Sequence, residues 1–567
     1  MRYLFQLLLI LILFISTSPK TSAQVGWAKS YDEAAVVTAE RHASEIGRQI
    51  LEQGGNAVDA AVAVQFALSV TLPRAGNIGG GGFMVLHMAD GTTRALDFRE
   101  QAPSGATNDM FIRNGEYQPD MSRRSILASG VPGVVDGMVR ATERYGRLPL
   151  EAVIAPAIKL AREGYRLSWT QANDLYTHAE SFKRDRSSLH YFTKSSGTPY
   201  HEGDLFVQED LAETLERIAR FGRSGFYSGQ TAEMIIREMQ QHGGRITYRD
   251  LRNYKSKWRD PVRAQFREYE LNIMPPPSSG SIAIAQILQM IENYDLEQVG
   301  FNSPDYIHLL TEAMRRAFAD RAHFLGDPDF VDIPSERLLS RSYNKERMKS
   351  YDPNSASDSD EIGHGTIPGF QYSESSETTH FSIVDKDGNA VAVTTTLNGS
   401  FGNKFSVDGA GFLLNNEMDD FTAEPGEPNM FGLIQGKANA IEPGKRMLSS
   451  MSPTIVTQDG KLRMVLGAAG GPRIITATLQ NFLNMAIFGM NAQQAVNAPR
   501  FHHQWLPDQL SYEPFGITVD SKRLIERKGH QLATMDNIGR SHVIFVDEEG
   551  KRHGAADPRG DGNVAGY

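Results

Sequence analysis

The sequence predicts a layered α+β protein in which helices pack on antiparallel sheets. Three observations carry this. Asp-Gly-type turns recur at Asp90, Asp387 and Asp459, and such turns close antiparallel hairpins. Residues 57–70 are almost all small or apolar, as in a helix buried on every side. Between about 130 and 340, apolar residues return at helical spacing.

The elements follow in order. Residues 43–52 have helical spacing and stop at Gly54-Gly55, a C-cap signal. Asn56 can cap the buried helix 57–70. Gly79 to Gly82 precede a strand over 83–86, and Asp90-Gly91 turns it into a second strand over 95–99. Helices are expected over 151–162, 210–220 and 304–324. The loop from Pro275 to Gly280 leads into another helix, 282–291. Residues 351–377, rich in Ser, Asp, Glu and Gly, read as a structureless linker. Strands at 378–384 and 390–396 then flank a turn at Asp385-Lys386-Asp387-Gly388. Strands at 453–456 and 462–467, a helix at 474–488 and a last hairpin from 541 complete the chain, and no internal repeat stands out.

Length, 567 residues, would suggest three or four domains. Net charge is −10 with no long basic run, which argues against nucleic acid as a partner. The absence of cysteine excludes a disulfide scaffold, a cysteine nucleophile and thiolate metal sites. Arg2, the apolar run from Leu4 to Ile15 and Thr21-Ser22-Ala23 read as a secretory signal over 1–23. That run is shorter than the ~20 apolar residues of a membrane span, so no stable membrane span is expected after signal removal.

The most suggestive chemistry lies at Glu377-Thr378-Thr379-His380. Threonine pairs are common in strands because β-branched side chains suit the pleat. Here the pair stands where a linker meets a strand, and accessible linker backbone suits a precursor cut. A cut before Thr378 would set a free amine beside its hydroxyl, a nucleophile carrying its own base. Arg99, after Leu96-Asp97-Phe98, ends an otherwise apolar strand and can present a planar fork to a carboxylate. The acids of Asn415-Asn416-Glu417-Met418-Asp419-Asp420 suit a substrate amine or a solvated surface, and their spacing is not that of a calcium loop. Ser449-Ser450 and Gly470-Gly471, the latter just before a helix, offer hydroxyls and backbone N–H groups for an oxyanion. Together these groups fit a substrate with an amino-acid zwitterion at one end and an acyl bond at the other.

These segments, with Gly54 to Ala61, Gly79 to Phe83, Asp97-Phe98-Arg99-Glu100, Gly130-Val131-Pro132-Gly133, Pro275 to Gly280, Leu448 to Pro453 and Asp557-Pro558-Arg559, closely resemble the γ-glutamyltranspeptidases in the same order. The resemblance covers the chain from about Ser30 to Tyr567. It implies a four-layer αββα sandwich of the N-terminal nucleophile hydrolase class. It also implies a precursor that cuts itself between Glu377 and Thr378 into a large subunit, 24–377, and a small one, 378–567, intertwined in one domain. Thr378 resembles the nucleophile and Thr396 the threonine supporting it. Arg99, Ser449 and Ser450 resemble the α-carboxylate site, Asn398, Glu417 and Asp420 the α-amino site, and Gly470 and Gly471 the oxyanion hole. The implied substrates are glutathione and other γ-glutamyl compounds, with water, amino acids or dipeptides as acceptors. The implied compartment is periplasmic or extracellular, and neither metal nor organic cofactor is needed.

Some positions depart from that pattern. Phe431 stands in the lid loop, about 425–436, where many bacterial members carry tyrosine, and it cannot donate a hydrogen bond to Asn398. Ala468-Ala469 replaces a Ser-Pro pair common before the glycines. His502-His503 on one strand would point to opposite faces, a poor metal site. Gly79 to Gly82 lack the Lys-Ser/Thr ending of a phosphate loop and suit close backbone packing. Two alternatives are a cephalosporin or glutaryl acylase of the same fold and a non-catalytic solute-binding protein.

Overall fold

A computed structural model of the protein describes residues 27–194, 196–362, 378–423 and 428–567. The expected signal, the 377 side of the proposed cut and part of the lid loop lie outside the described residues.

Two antiparallel sheets form the centre. The first runs Asn563–Gly566, Ala35–Thr38, Thr378–Val384, Ala390–Thr396, Gly81–His87, Thr93–Asp97, Lys257–Arg259. The second runs Lys29–Tyr31, Arg552–Ala556, Arg540–Val546, Lys461–Leu466, Thr454–Gln458, Tyr269–Ile273, Val262–Phe266, with Ala468–Ala469 added beside Arg540–Val546. Strand alternation sorts the side chains. Met84 and Leu86 join a core built with the helices Arg41–Glu52, Ala57–Thr71 and Val134–Tyr145, whereas Phe83 and Val85 meet Ile455, Val465 and Ile544 of the second sheet. On the far side Val456, Met464 and Val543 pack under Gly280–Ile291, Pro304–Phe324 and Arg473–Ala486. The result is the expected four-layer αββα sandwich.

Local chemistry explains the elements nearest the site. Gly54, at φ +95°, ends the first helix, and Asn56 with Asp59 makes a capping box on the next. All of Ala57–Thr71 is buried. Gly80 and Gly82 admit the neighbouring strand, since a Cβ there would stand 2.1 Å from Thr396 O and 2.4 Å from Thr394 O. This is the backbone-packing role expected of that run.

Two expectations are corrected. The strand expected over 95–99 ends at Asp97, and Arg99 lies beyond it. Phe98 still exchanges backbone hydrogen bonds with Gly82, and the Asp97 carboxylate, accepting from Arg99 N at 3.0 Å and from Arg259 Nε at 2.9 Å, holds Arg99 where the chain turns away. The linker is not structureless over 351–362. Ser357 N donates to Glu312 at 3.1 Å, Ser359 N to Asp508 at 2.9 Å, and Ser359 O accepts from Trp505 Nε1 at 2.8 Å. Polar composition there serves hydrogen bonding to the helix Pro304–Phe324 and its neighbours. No described helix is long and apolar enough to cross a membrane.

Candidate active site

Thr378 opens its strand and pairs across the hairpin with Thr396. The two hydroxyl oxygens are 3.5 Å apart, and Thr396 Oγ1 also accepts from Asn398 N at 2.7 Å. That bond fixes Asn398 in a left-handed conformation, φ +73°, which asparagine tolerates well. Asn398 Nδ2 donates to Asn416 O at 3.0 Å. His380, two residues on, is buried with its ring between Thr394 Oγ1 at 2.8 Å and Ser382 Oγ at 3.1 Å. Burial holds this imidazole well below its usual range, with nearby His542 adding to the effect. It is therefore a neutral packing group between the sheets.

Thr378 faces a narrow cavity. Thr396, Asn398, Arg99, Glu417, Asp420, Ser449, Ser450 and Gly471 line it as well, so the structure gathers all the expected catalytic and substrate-binding residues but one around it, while Glu377 lies outside the described residues. Gly470 is the exception. It sits directly behind Gly471 at φ +139°. Neither glycine's amide donates to one of the loop, turn or cap backbone acceptors among the described residues. Phe431 and Leu433 also line the cavity. A Cβ on Gly471 would come within 2.8 Å of the Phe431 ring, so Phe431 covers the glycine turn.

The charged groups form a closed set. Arg99 is wholly buried. It donates from Nη1 to Glu417 and from Nη2 to Asp420 at 2.5 Å, and Glu100 lies 3.5 Å away. Burial acts to lower the guanidinium pKa, but Glu417 and Asp420 outweigh it and keep Arg99 charged. Burial pushes Glu417 well above the carboxylate range against the opposing pull of Arg99. Asp420 is raised to about 6 and Glu100 to about 7, again by burial first and with Arg99 opposing. Among the described residues, Glu417 Oε2 and both Glu100 carboxyl oxygens have no hydrogen-bond partner. The cation suited to a substrate carboxylate and the acids suited to its ammonium thus neutralise one another. A zwitterion entering here exchanges one set of ion pairs for another, so no charge is buried alone.

Three residues escaped the reading of the sequence. Asn429 Nδ2 donates to Asp420 Oδ1 at 3.1 Å and ties the lid loop to the acids. Glu100 backs Arg99, and its place beside the arginine in sequence was the available signal. Arg321 lines the cavity from the helix Pro304–Phe324. The sequence carried no signal for it, since the burial of that helix over nearly its whole length is seen only in the fold. His502 and His503 are each spoken for, by Thr476 at 2.9 Å and Gln504 at 3.0 Å, and by Asp508 at 3.0 Å.

The chain as a whole is similar to known proteins. The family model described as gamma-glutamyltranspeptidase matches residues 43–567. The glutathione hydrolase proenzyme of Escherichia coli (strain K12) is 48% identical over 535 residues, 94% of this chain and 91% of that protein. Among solved structures, cephalosporin acylase from Bacillus halodurans superposes with a TM-score of 0.85 at 27% identity, covering 97% of this chain and 99% of that one. A chain of Helicobacter pylori gamma-glutamyltranspeptidase matches with a TM-score of 0.57 at 45% identity, covering 62% of this chain and all of that one.

Proposed function

The chain belongs to the γ-glutamyltranspeptidase family, and from that premise we propose that Thr378 is the nucleophile of a self-processing γ-glutamyl hydrolase and transferase acting on glutathione and related γ-glutamyl compounds. The observation that carries the assignment is the convergence of Thr378 with the Arg99–Glu417–Asp420 set in one cavity.

In the proposed reaction Arg99, Ser449 and Ser450 hold the substrate α-carboxylate, and Asn398, Glu417 and Asp420 hold the α-ammonium. The γ-carbonyl then lies over Thr378. The free amine of Thr378 takes the proton from its own Oγ1 as that oxygen attacks the carbonyl carbon. The Gly470 and Gly471 amides stabilise the oxyanion. Collapse breaks the C–N bond and the amine returns the proton to the leaving nitrogen, giving an ester on Thr378. Water or the amino group of an acceptor attacks that ester with the same base, and the threonine hydroxyl is released. Thr396, 3.5 Å from Oγ1, supports the nucleophile.

The same hydroxyl is proposed to attack the Glu377 carbonyl in the precursor, yielding a heterodimer of residues 24–377 and 378–567. Interleaving supports a stable pair after the cut, since Thr378–Val384 lies between Ala35–Thr38 and Ala390–Thr396. The proposed signal over 1–23 would send the product to the periplasm or outside the cell. The acylase alternative draws on the Bacillus halodurans likeness, but the buried Arg99–Glu417–Asp420 set suits a substrate with an amino-acid end. The solute-binding alternative is set aside by relatives that are proenzymes.

Thr378→Ala tests the assignment directly. The variant should remain a single chain on a denaturing gel and show no turnover of a γ-glutamyl anilide. Efficient cutting of that variant would rule Thr378 out. Turnover of a glutaryl anilide in preference to the γ-glutamyl one would favour the acylase.

A further inference from the structure

Arg321 has no part in the set inferred from the sequence, yet it is only 2% exposed and lines the same cavity as Thr378. Its Nε donates to Ser279 Oγ at 2.9 Å, and that hydroxyl donates to Ser449 O at 2.7 Å. Nη2 reaches Ser450 Oγ at 3.4 Å. Nη1 is buried and has no hydrogen-bond partner among the described residues, an arrangement that is costly unless a ligand completes it. Among the described residues the carboxylate acting on it is Asp420, which Arg99 already engages. Asp320, its neighbour on the helix, is paired with Arg347 at 3.2 Å.

The charges lining the cavity are therefore Arg99, Arg321, Glu417 and Asp420. Both acids already engage Arg99, whereas Nη1 of Arg321 is left for an incoming carboxylate. Without Arg321 the cation remaining on the cavity wall, among the described residues, would be Arg99, already engaged on both sides. We propose that Arg321 is a second cation for the substrate α-carboxylate, acting through Nη1 and through the Ser450 hydroxyl that it positions, and that it sets the preference for γ-glutamyl donors that retain this carboxylate. The inference rests on the γ-glutamyl reading above. It adds a residue that selects the donor.

The test compares γ-glutamyl-p-nitroanilide with 4-aminobutyryl-p-nitroanilide, the same acyl chain without the α-carboxylate, in wild type, Arg321→Gln and Arg321→Lys. Loss of a charge-assisted contact predicts that Arg321→Gln raises KM for the γ-glutamyl substrate about tenfold or more. Its kcat should stay within about threefold and kcat/KM for the 4-aminobutyryl substrate should be unchanged, because a positioning effect on binding is not an effect on chemistry. Arg321→Lys should recover part of the loss. Equal losses on both substrates, or no change on either, would overturn the proposal. Should Arg321→Gln fail to fold, Ser279→Ala, which releases the Nε anchor and leaves the charge, decides the matter. A KM increase confined to the γ-glutamyl substrate supports the proposal, and its absence overturns it. If wild type turned over neither anilide, the γ-glutamyl reading itself would fail.

Discussion

Replacing Arg99 by methionine should destabilise the empty protein strongly at pH 8 and much less at pH 5. Arg99 is fully buried and faces Glu417, Asp420 and Glu100. Methionine fills similar length but removes the charge that opposes the effect of burial on all three carboxyls. Even with Arg99 present, Asp420 sits at about 6 against an ordinary 3.8, a shift of about two units or ~3 kcal/mol. Removing one partner of a buried pair typically costs about 3–5 kcal/mol, and that is the deficit expected at pH 8. The sign with pH follows from linkage. A carboxyl whose folded pKa is raised contributes stability that is present at low pH and lost as pH rises through the folded value. Without Arg99 these folded values rise further, so the variant's deficit grows as pH increases above about 6. Urea unfolding of wild type and Arg99→Met at both pH values, followed by tryptophan fluorescence, measures it. A deficit equal at the two pH values, or larger at pH 5, would refute the charge-pair reasoning.

Two further outcomes follow from the same geometry. Because Asp420 is raised to about 6, its charge for a substrate ammonium is lost as pH falls through that value. kcat/KM for a γ-glutamyl anilide should therefore drop about tenfold per unit below pH 6, a limb that Asp420→Asn abolishes; its survival in that variant would assign it to another group. Gly467→Ala would set a Cβ 2.2 Å from the His380 ring, which Thr394 and Ser382 hold in place. Overpacking of this kind costs about 1–3 kcal/mol and should slow self-cutting at Thr378, read as the uncut fraction over time on a gel. Wild-type stability and cutting in Gly467→Ala would contradict it.

Helices were legible because their periodicity is local: the helix expected over 304–324 is Pro304–Phe324, and those expected over 151–162 and 210–220 are Leu150–Glu163 and Glu209–Phe221. Sheet order was not. Ala35–Thr38 sits between Asn563–Gly566 and Thr378–Val384, partners hundreds of residues away that no local pattern specifies. The site divides in the same manner. Arg99, Glu417 and Asp420 could be named as groups of the right chemistry, but their pairing with one another depends on burial that acidic composition does not reveal. Arg321 was invisible because a charged residue on a helix reads as solvated until its whole neighbourhood is known. The Thr378–Thr396 pair is the instructive intermediate. Thr396 was assigned from family likeness, yet a tight turn centred on Asp387 places residues equidistant from it opposite one another. Thr378 and Thr396 stand nine residues to either side, and that is the observed register. A one-residue slip would turn Thr396 to the other face and take its hydroxyl away from Thr378. The Asp385 carboxylate accepts from Asp387 N and Asn389 N, each at 2.9 Å, and thereby fixes the turn. The spacing of the two threonines at the cavity is thus set at the opposite end of their hairpin, by the residue that closes it.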